Sequence, residues 1–324
     1  MMKKIFPLWA VAAMLLLTAC YHDQHEEMPS EYGDQPVGYL TPLLLWEDQA
    51  DAAGNATTID DIRFTVSGTG GTTVANNFSN AASAADWLQQ LPVGNYDLLV
   101  TVDMDEANGY ILGNVGTDTR STTRADEATV TTALPDTRVS LADPSSSPRQ
   151  SWYAVTHATV KADEITVAEF HLQRLLSELS VIVHNVPTGA AITASVERVA
   201  RDVLLTHRDG QGRYGVADRE DYMTVSLGAL AADPADAATL RHDDHTLMPT
   251  AGGQERCYLT LTVTMPDGTP FNYLADAPRM ECGKAYVVEL DYTKLRPYML
   301  LSAFTINDWT EGWTISGEII NPDK

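Results

Sequence analysis

His242-Asp243-Asp244-His245 is the densest run of potential metal ligands in this 324-residue chain. Zinc sites take their ligands at wider spacing from firm elements, because adjacent residues point at one ion only where a tight loop curls them. The expectation is therefore a solvated loop, not a metal centre. Asp103, Asp105 and Glu106 ahead of Gly109 resemble the start of a calcium loop, but Ala107 stands at the third ligand position and no glutamate follows at the closing distance. An acidic turn is expected there. The chain has no Gly-x-Ser-x-Gly elbow, no His-Glu-x-x-His and no phosphate-cradling glycine loop. A carboxylate pair for glycoside hydrolysis is defined by separation in space, which sequence does not encode. No catalytic residue, metal or cofactor is implied, and an enzyme is not expected.

The cysteines carry a different chemistry. Ile5 to Ala19 is apolar apart from Thr18, follows Lys3 and Lys4, and at 15 residues is too short for the roughly 20 that span a bilayer as a helix. That is the pattern of a secretory signal. Its end, Leu17-Thr18-Ala19-Cys20, resembles the lipobox of bacterial lipoproteins, in which the cysteine is acylated and becomes the N-terminus; an ordinary signal peptide with a chance cysteine is the plainer alternative. Cys257 and Cys282 remain. In an exported protein they could form a disulfide, and closing a loop of that length stabilises by about 3 kcal/mol if unstrained. Two buried free thiols are the equal alternative.

Asp23, Glu26, Glu27, Glu31 and Asp34 follow Cys20, with no Lys or Arg before Arg63. This acidic stretch has the composition of a solvated tether and resembles the surface-export signal of Bacteroidetes lipoproteins. Loss of residues 1–19 removes Lys3 and Lys4 and takes the formal charge from −23 to −25. Such a surface repels phosphate backbones and anionic lipid, so no nucleic-acid partner is expected.

The positioning elements are strands. Ile62-Arg63-Phe64-Thr65-Val66 alternates and ends at a Ser/Gly/Thr turn, and "LPVGNYDLLVTVD" puts a Pro/Gly/Asn turn ahead of a half-buried strand. Further strands are read at 152–155, 165–167, 192–196, 258–263, 286–290 and 313–315. Met265-Pro266-Asp267-Gly268-Thr269-Pro270 is a hairpin turn before a strand at 271–274. Residues 113–150 read as a long exposed loop with one or two weak edge strands. "EFHLQRLLSELSVIVHNVP" fits both a helical stripe and strand alternation; two strands broken around Arg174 to Glu178 are preferred. "LGALAADPADAATLRHDDH" is read as a helix or loose loop. Many short strands with almost no strand–helix alternation give an all-β chain, most simply two tandem sandwiches of immunoglobulin-like type, over 37–163 and 164–324 after a tether at 20–36.

The lipobox and tether, "LPVGNYDLLVTVD", "FHLQRLLSELSVIV" and the terminal "LLSAFTINDWTEGWTISGEI" together resemble the fimbrillin-like lipoproteins of Bacteroidales. The resemblance covers most of the mature chain in order, though each motif is short. It implies two transthyretin-like sandwiches, and a mechanical role in which subunits of a fimbrium join by donating a strand to a neighbour's incomplete sheet. In shaft subunits of that family, cleavage after an arginine releases an N-terminal strand. Arg120 and Arg124 lie in the long loop here, where a cut would part the body from Cys20. The retained tether therefore favours an outer-membrane anchor or accessory subunit, with fimbrial shaft or accessory subunits as partners and a membrane contact through the lipid on Cys20. The rival is a surface glycan-binding lipoprotein of a polysaccharide-uptake system, with Trp309, Trp313 or Trp46 as stacking candidates; core packing is the plainer role for these. A secreted hydrolase ranks last.

Overall fold

The computed structural model describes residues 32–46, 59–68, 73–114, 134–219, 221–295, 304–308 and 312–313, the last two segments as main chain only. Cys20, Arg120, Arg124 and Trp309 lie outside these residues. The chain is all-β.

The first half contributes β1 (Val37–Trp46), β2 (Ile62–Gly68), β3 (Thr73–Phe78), a short helix α1 (Ala81–Ala85), β4 (Gln89–Pro92), β5 (Gly94–Val102), β6 (Tyr110–Asn114), β7 (Thr137–Leu141), β8 (Trp152–Val160) and β9 (Ile165–Arg174). The second contributes β10 (Ser177–His184), β11 (Ala191–Ala200), β12 (Asp202–Arg208), β13 (Tyr214–Ala217), β14 (Tyr222–Ala229), β15 (Ala231–Asp233), β16 (Asp236–Leu247), β17 (Cys257–Thr264), β18 (Pro270–Ala277), β19 (Lys284–Asp291), β20 (Phe304–Asp308) and β21 (Gly312–Trp313).

Seven strands run in the order β3-β2-β5-β8-β9-β1-β4. The ladder between β8 and β9 is confined to Trp152–Arg174 and Tyr153–Gln173, and there the sheet turns a corner into two layers, β3-β2-β5-β8 and β9-β1-β4. Leu40, Phe64, Leu91, Leu98, Val100, Ala168 and Phe170 fill the core between them. Phe64 is its hub, with ring centroids 5.0 Å from Trp87, 5.4 Å from Phe170 and 5.8 Å from Phe78. β9 follows the junction expected at 163/164, yet it is hydrogen-bonded into this N-terminal sheet.

In the second sandwich the sheet β15-β16-β10-β19-β20-β21 faces β14-β11-β17-β18. A fourth sheet, β13-β12-β7-β6, draws strands from both halves. Its Arg138 on β7 and Asp202 on β12 form a buried ion pair at 3.2 Å, the kind whose breakage costs about 3–5 kcal/mol because a charge is stranded. The larger core accordingly joins Leu99, Tyr110 and Val139 of the first half to Leu179, Val196 and Leu261 of the second.

Several expectations hold. The ambiguous leucine-rich stretch is two strands, β9 and β10, separated only by Leu175 and Leu176. The hairpin before β18 places Gly268 at φ +84°, and the Met265 N–H bonds the Thr269 carbonyl at 2.9 Å. Others do not hold. The helix or loop expected in "LGALAADPADAATLRHDDH" is a hairpin of β15 and β16. Its alanine content favours helix, but Pro234 blocks one, and the Asp233 carboxylate accepts the Ala235 N–H at 2.8 Å to form a turn. Sequence alternation also fails to isolate β1, whose Pro42 and leucine run mask the period.

Phe64→Ala is expected to lower unfolding stability by about 3–5 kcal/mol, readable as a denaturant midpoint shift at unchanged slope.

Candidate interaction site

β1 runs parallel to β9 from Tyr39–Ile165 to Trp46–Leu172, and antiparallel to β4 only over Val37 to Leu40. Backbone directions follow from its first residues. The Tyr39 N–H bonds the Glu164 carbonyl and the Val37 carbonyl accepts from Asp163 N–H, both at 2.9 Å, so odd-numbered residues address β9. The Pro36 carbonyl accepts from Val93 N–H on the other flank, so even-numbered residues address β4. Pro42, which has no N–H, therefore faces the flank past the last β4 partner, where no ladder needs its donor. From Pro42 to Trp46 that flank of β1 pairs with no strand among the described residues, and the short helix α1, which leads into β4, packs against β1. The approach of β1 to the β8–β9 turn is close: a Cβ on Gly38 would lie 2.0 Å from the Lys161 carbonyl oxygen, so only glycine fits.

The second sandwich repeats the arrangement. β10 runs parallel to β19 over seven pairs from Glu178–Ala285 to His184–Asp291. There the far flank of β19 is covered by β20, with Lys284–Asp308 to Val288–Phe304 in register, and β21 follows. The Trp313 main chain thus lies at a sheet edge, whereas Trp46 packs edge-on against Trp152 at 5.4 Å and against the first core. Trp46 is thus half-buried against the first core.

The halves are latched by a polar network. Asp97 on β5 accepts from His157 Nδ1 on β8 in a short hydrogen bond, which leaves Nε2 as an acceptor for the Tyr214 hydroxyl at 2.9 Å. Arg208 donates to the same hydroxyl at 2.8 Å and lies 4.4 Å over the ring. The Tyr153 hydroxyl donates to the Tyr214 carbonyl at 2.9 Å. These groups fix β12 and β13 against β5 and β8. Sequence gave no signal for them, since they lie about 60 residues apart.

His242 to His245 lie in strand β16 and not in a loop. Asp244, at φ +53°, forms the kink where the β10–β16 register shifts. The kink brings His242 Nε2 to 3.1 Å from His245 Nδ1 and sends Asp244 the other way, where it accepts from Ser180 Oγ at 3.2 Å. The four side chains therefore do not converge. Burial, with the adjacent His242, drives His245 down to about 4; burial, with Asp244 beside it, drives Glu178 up to about 7. The Asp103 group is likewise a turn: Asp103 accepts the Asp60 and Asp61 N–H groups at 3.1 and 3.3 Å, and Asp105 accepts from the Asn108 N–H at 2.9 Å. Burial pushes the Asp103 carboxyl up. Among the described residues, no three His, Cys, Asp or Glu are grouped to hold a metal ion.

Cys257 and Cys282 stand as free thiols in the structure. Cys257 faces the core beside Thr250 Oγ1 at 3.0 Å, and burial pushes its thiol up to about 11.

The raised Glu178 carboxyl holds its proton in the fold more tightly than when unfolded, so stability is expected to fall as pH rises from about 4.5 through 7. The depressed His245 acts oppositely and withdraws stability as pH falls from 6.5 toward 4. Glu178→Gln should raise the melting temperature at pH 8 and leave it nearly unchanged at pH 4.5, as followed by thermal denaturation.

Solved structures share this architecture at low identity. A Bacteroides thetaiotaomicron protein provisionally described as an adhesin is 12% identical, with a TM-score of 0.50, over 87% of this chain and 99% of its own. The fimbrial anchor protein Mfa2 of Porphyromonas gingivalis is 15% identical, with a TM-score of 0.47, over 85% of this chain and 100% of its own. No protein among the curated sequences matches the chain. The sequence pattern of the fimbrillin-A associated anchor proteins Mfa1 and Mfa2 matches residues 51–313, which spans both sandwiches, and the chain belongs to that family.

Proposed function

We propose that this chain is an outer-membrane lipoprotein that anchors or assists a fimbrium, is held at the cell surface by acyl chains on Cys20, and joins shaft or accessory subunits by strand addition. Family membership across residues 51–313 carries the fimbrial role. The family is of anchor and adhesin type, not an enzyme family. The lipobox at 17–20 supports the attachment, with residues 1–19 removed and 20–36 serving as the tether to the two sandwiches. Strand addition is supported by the flank of β1 from Pro42 to Trp46, which pairs with no strand among the described residues and where an incoming strand that displaced α1 would gain backbone hydrogen bonds.

Subunit capture and lipidation are separable. Cys20→Ser should abolish acyl mass on the mature chain and release it from the outer-membrane fraction, while the purified variant keeps its fold by circular dichroism. Affinity recovery of the wild-type chain from intact outer membranes should bring a fimbrial shaft subunit with it. Recovery of the chain alone, with its acyl groups intact, would overturn the fimbrial role and leave the anchor.

A further inference from the structure

The outer face of the β9-β1-β4 layer is apolar at one end. Even-numbered residues of β1 and β9 turn into the core, as Leu40, Ala168 and Phe170 show. Odd-numbered residues turn outward, and the register aligns Tyr39 with Ile165 and Thr41 with Val167, and pairs Val37 with Pro92 on the other flank. Ile165 and Val167 are each 51% exposed, and Val93, directly after β4, is 44% exposed. All three belong to a small set of large apolar side chains left in water; Ile165 and Val167 stand together on this outer face, while Val93 continues the inward row of Leu91 past the end of the layer. Within β9 the first acidic group in the outward row is Glu169, opposite Leu43, and exposed Asp163 and Glu164 stand in the turn just before β9. Lys161, paired with Glu164 at 3.6 Å, marks the rim in the β8–β9 turn.

This cluster stands where β1 begins and β4 ends, which is where residues 20–36 enter the fold. We propose that this end of the face rests on the bilayer into which the Cys20 acyl chains insert, with Ile165, Val167 and Tyr39 in the headgroup region. The inference rests on lipid attachment at Cys20. The 16 residues between Cys20 and Val37 reach at most about 60 Å when fully extended and about 20–25 Å as a flexible coil. The patch is thus held next to the bilayer at high effective concentration, where contacts too weak to recruit a free protein are occupied. Aliphatic groups with a tyrosine ring and no charge among the first rows suit the interface. The acidic chain as a whole disfavours anionic lipid, so the lipid surface is a neutral or zwitterionic one. Docking would fix which side of the N-terminal sandwich faces the membrane and leave the second sandwich free of it.

The test uses the acylated mature chain on phosphatidylcholine vesicles whose acyl chains carry bromine. A fluorophore on Val167→Cys is compared with one on Thr224→Cys, an exposed position on β14 of the second sandwich. The parent chain, with Cys257 and Cys282 alone, gives the background. The expected result is quenching at 167 several-fold stronger than at 224, reduced when Ile165→Ser is added. Equal quenching at both positions in a vesicle-bound, acylated chain overturns the docking and leaves the lipid anchor standing. A chain that carries no acyl mass and stays off the vesicles overturns both. A dimer with the 167 label shielded from water but unquenched assigns the face to a second copy and overturns the lipid contact.

Discussion

Each sandwich is closed by a parallel pairing of its first strand with a late one, β1 with β9 and β10 with β19. Parallel neighbours cannot be joined by a tight turn, so the intervening strands must cross to the opposite layer and return before the ladder can form. The first strand is consequently locked between partners instead of lying on an edge, and its inward side chains, Leu40 in one case and Leu179, Val181 and Val183 in the other, complete the core. Every local element in either half is arranged around that closing strand. The ladders are non-local in sequence, which makes this the slow-forming part of the fold.

The strands on either side of the two parallel ladders differ. β19 is covered by β20, whereas β1 has a partner on the β4 flank only up to Leu40. Between them the sheet β13-β12-β7-β6, the Arg138–Asp202 pair and the Asp97–His157–Tyr214–Arg208 network leave no independent linker: the halves share one core. A force applied to one sandwich reaches the other through packed side chains and buried polar groups, not through a flexible hinge.

Sequence made the half-buried strands readable because their period is two and turn residues bound them: β2, β5, β17, β19 and the β17–β18 hairpin all carry that signature. It hid β1, since Pro42 and Leu43 to Leu45 break the alternation, and the reason Pro42 is tolerated, an unpaired flank, exists only in the assembled sheet. It misdirected the segment around Pro234, where alanine content suggested helix and two aspartate turns prevailed. The network at Tyr214 and the ion pair at Asp202 were unreadable because each depends on strands brought together from both halves. His242 to His245 could be weighed against a metal site by spacing alone, but not placed: the left-handed Asp244 that parts their side chains is a response to the register of β10.

The direction of load follows from the same closure. A pull applied to the chain ahead of Val37 would load β1 along its own axis, against a parallel ladder that runs from Tyr39 to Trp46. In that geometry the ladder bonds are strained together in shear, whereas pulling from a sheet corner would open them one after another, and resistance to forced unfolding is set by the barrier to leaving the native state. Gly38 contributes at the point of entry, since its missing Cβ lets β1 lie within contact of the Lys161 carbonyl and seats the first ladder rung tightly. A load of that kind would be borne by backbone pairing along a strand held between partners. That is consistent with Cys257 and Cys282 standing as free thiols in a fold whose strength resides in its backbone pairing.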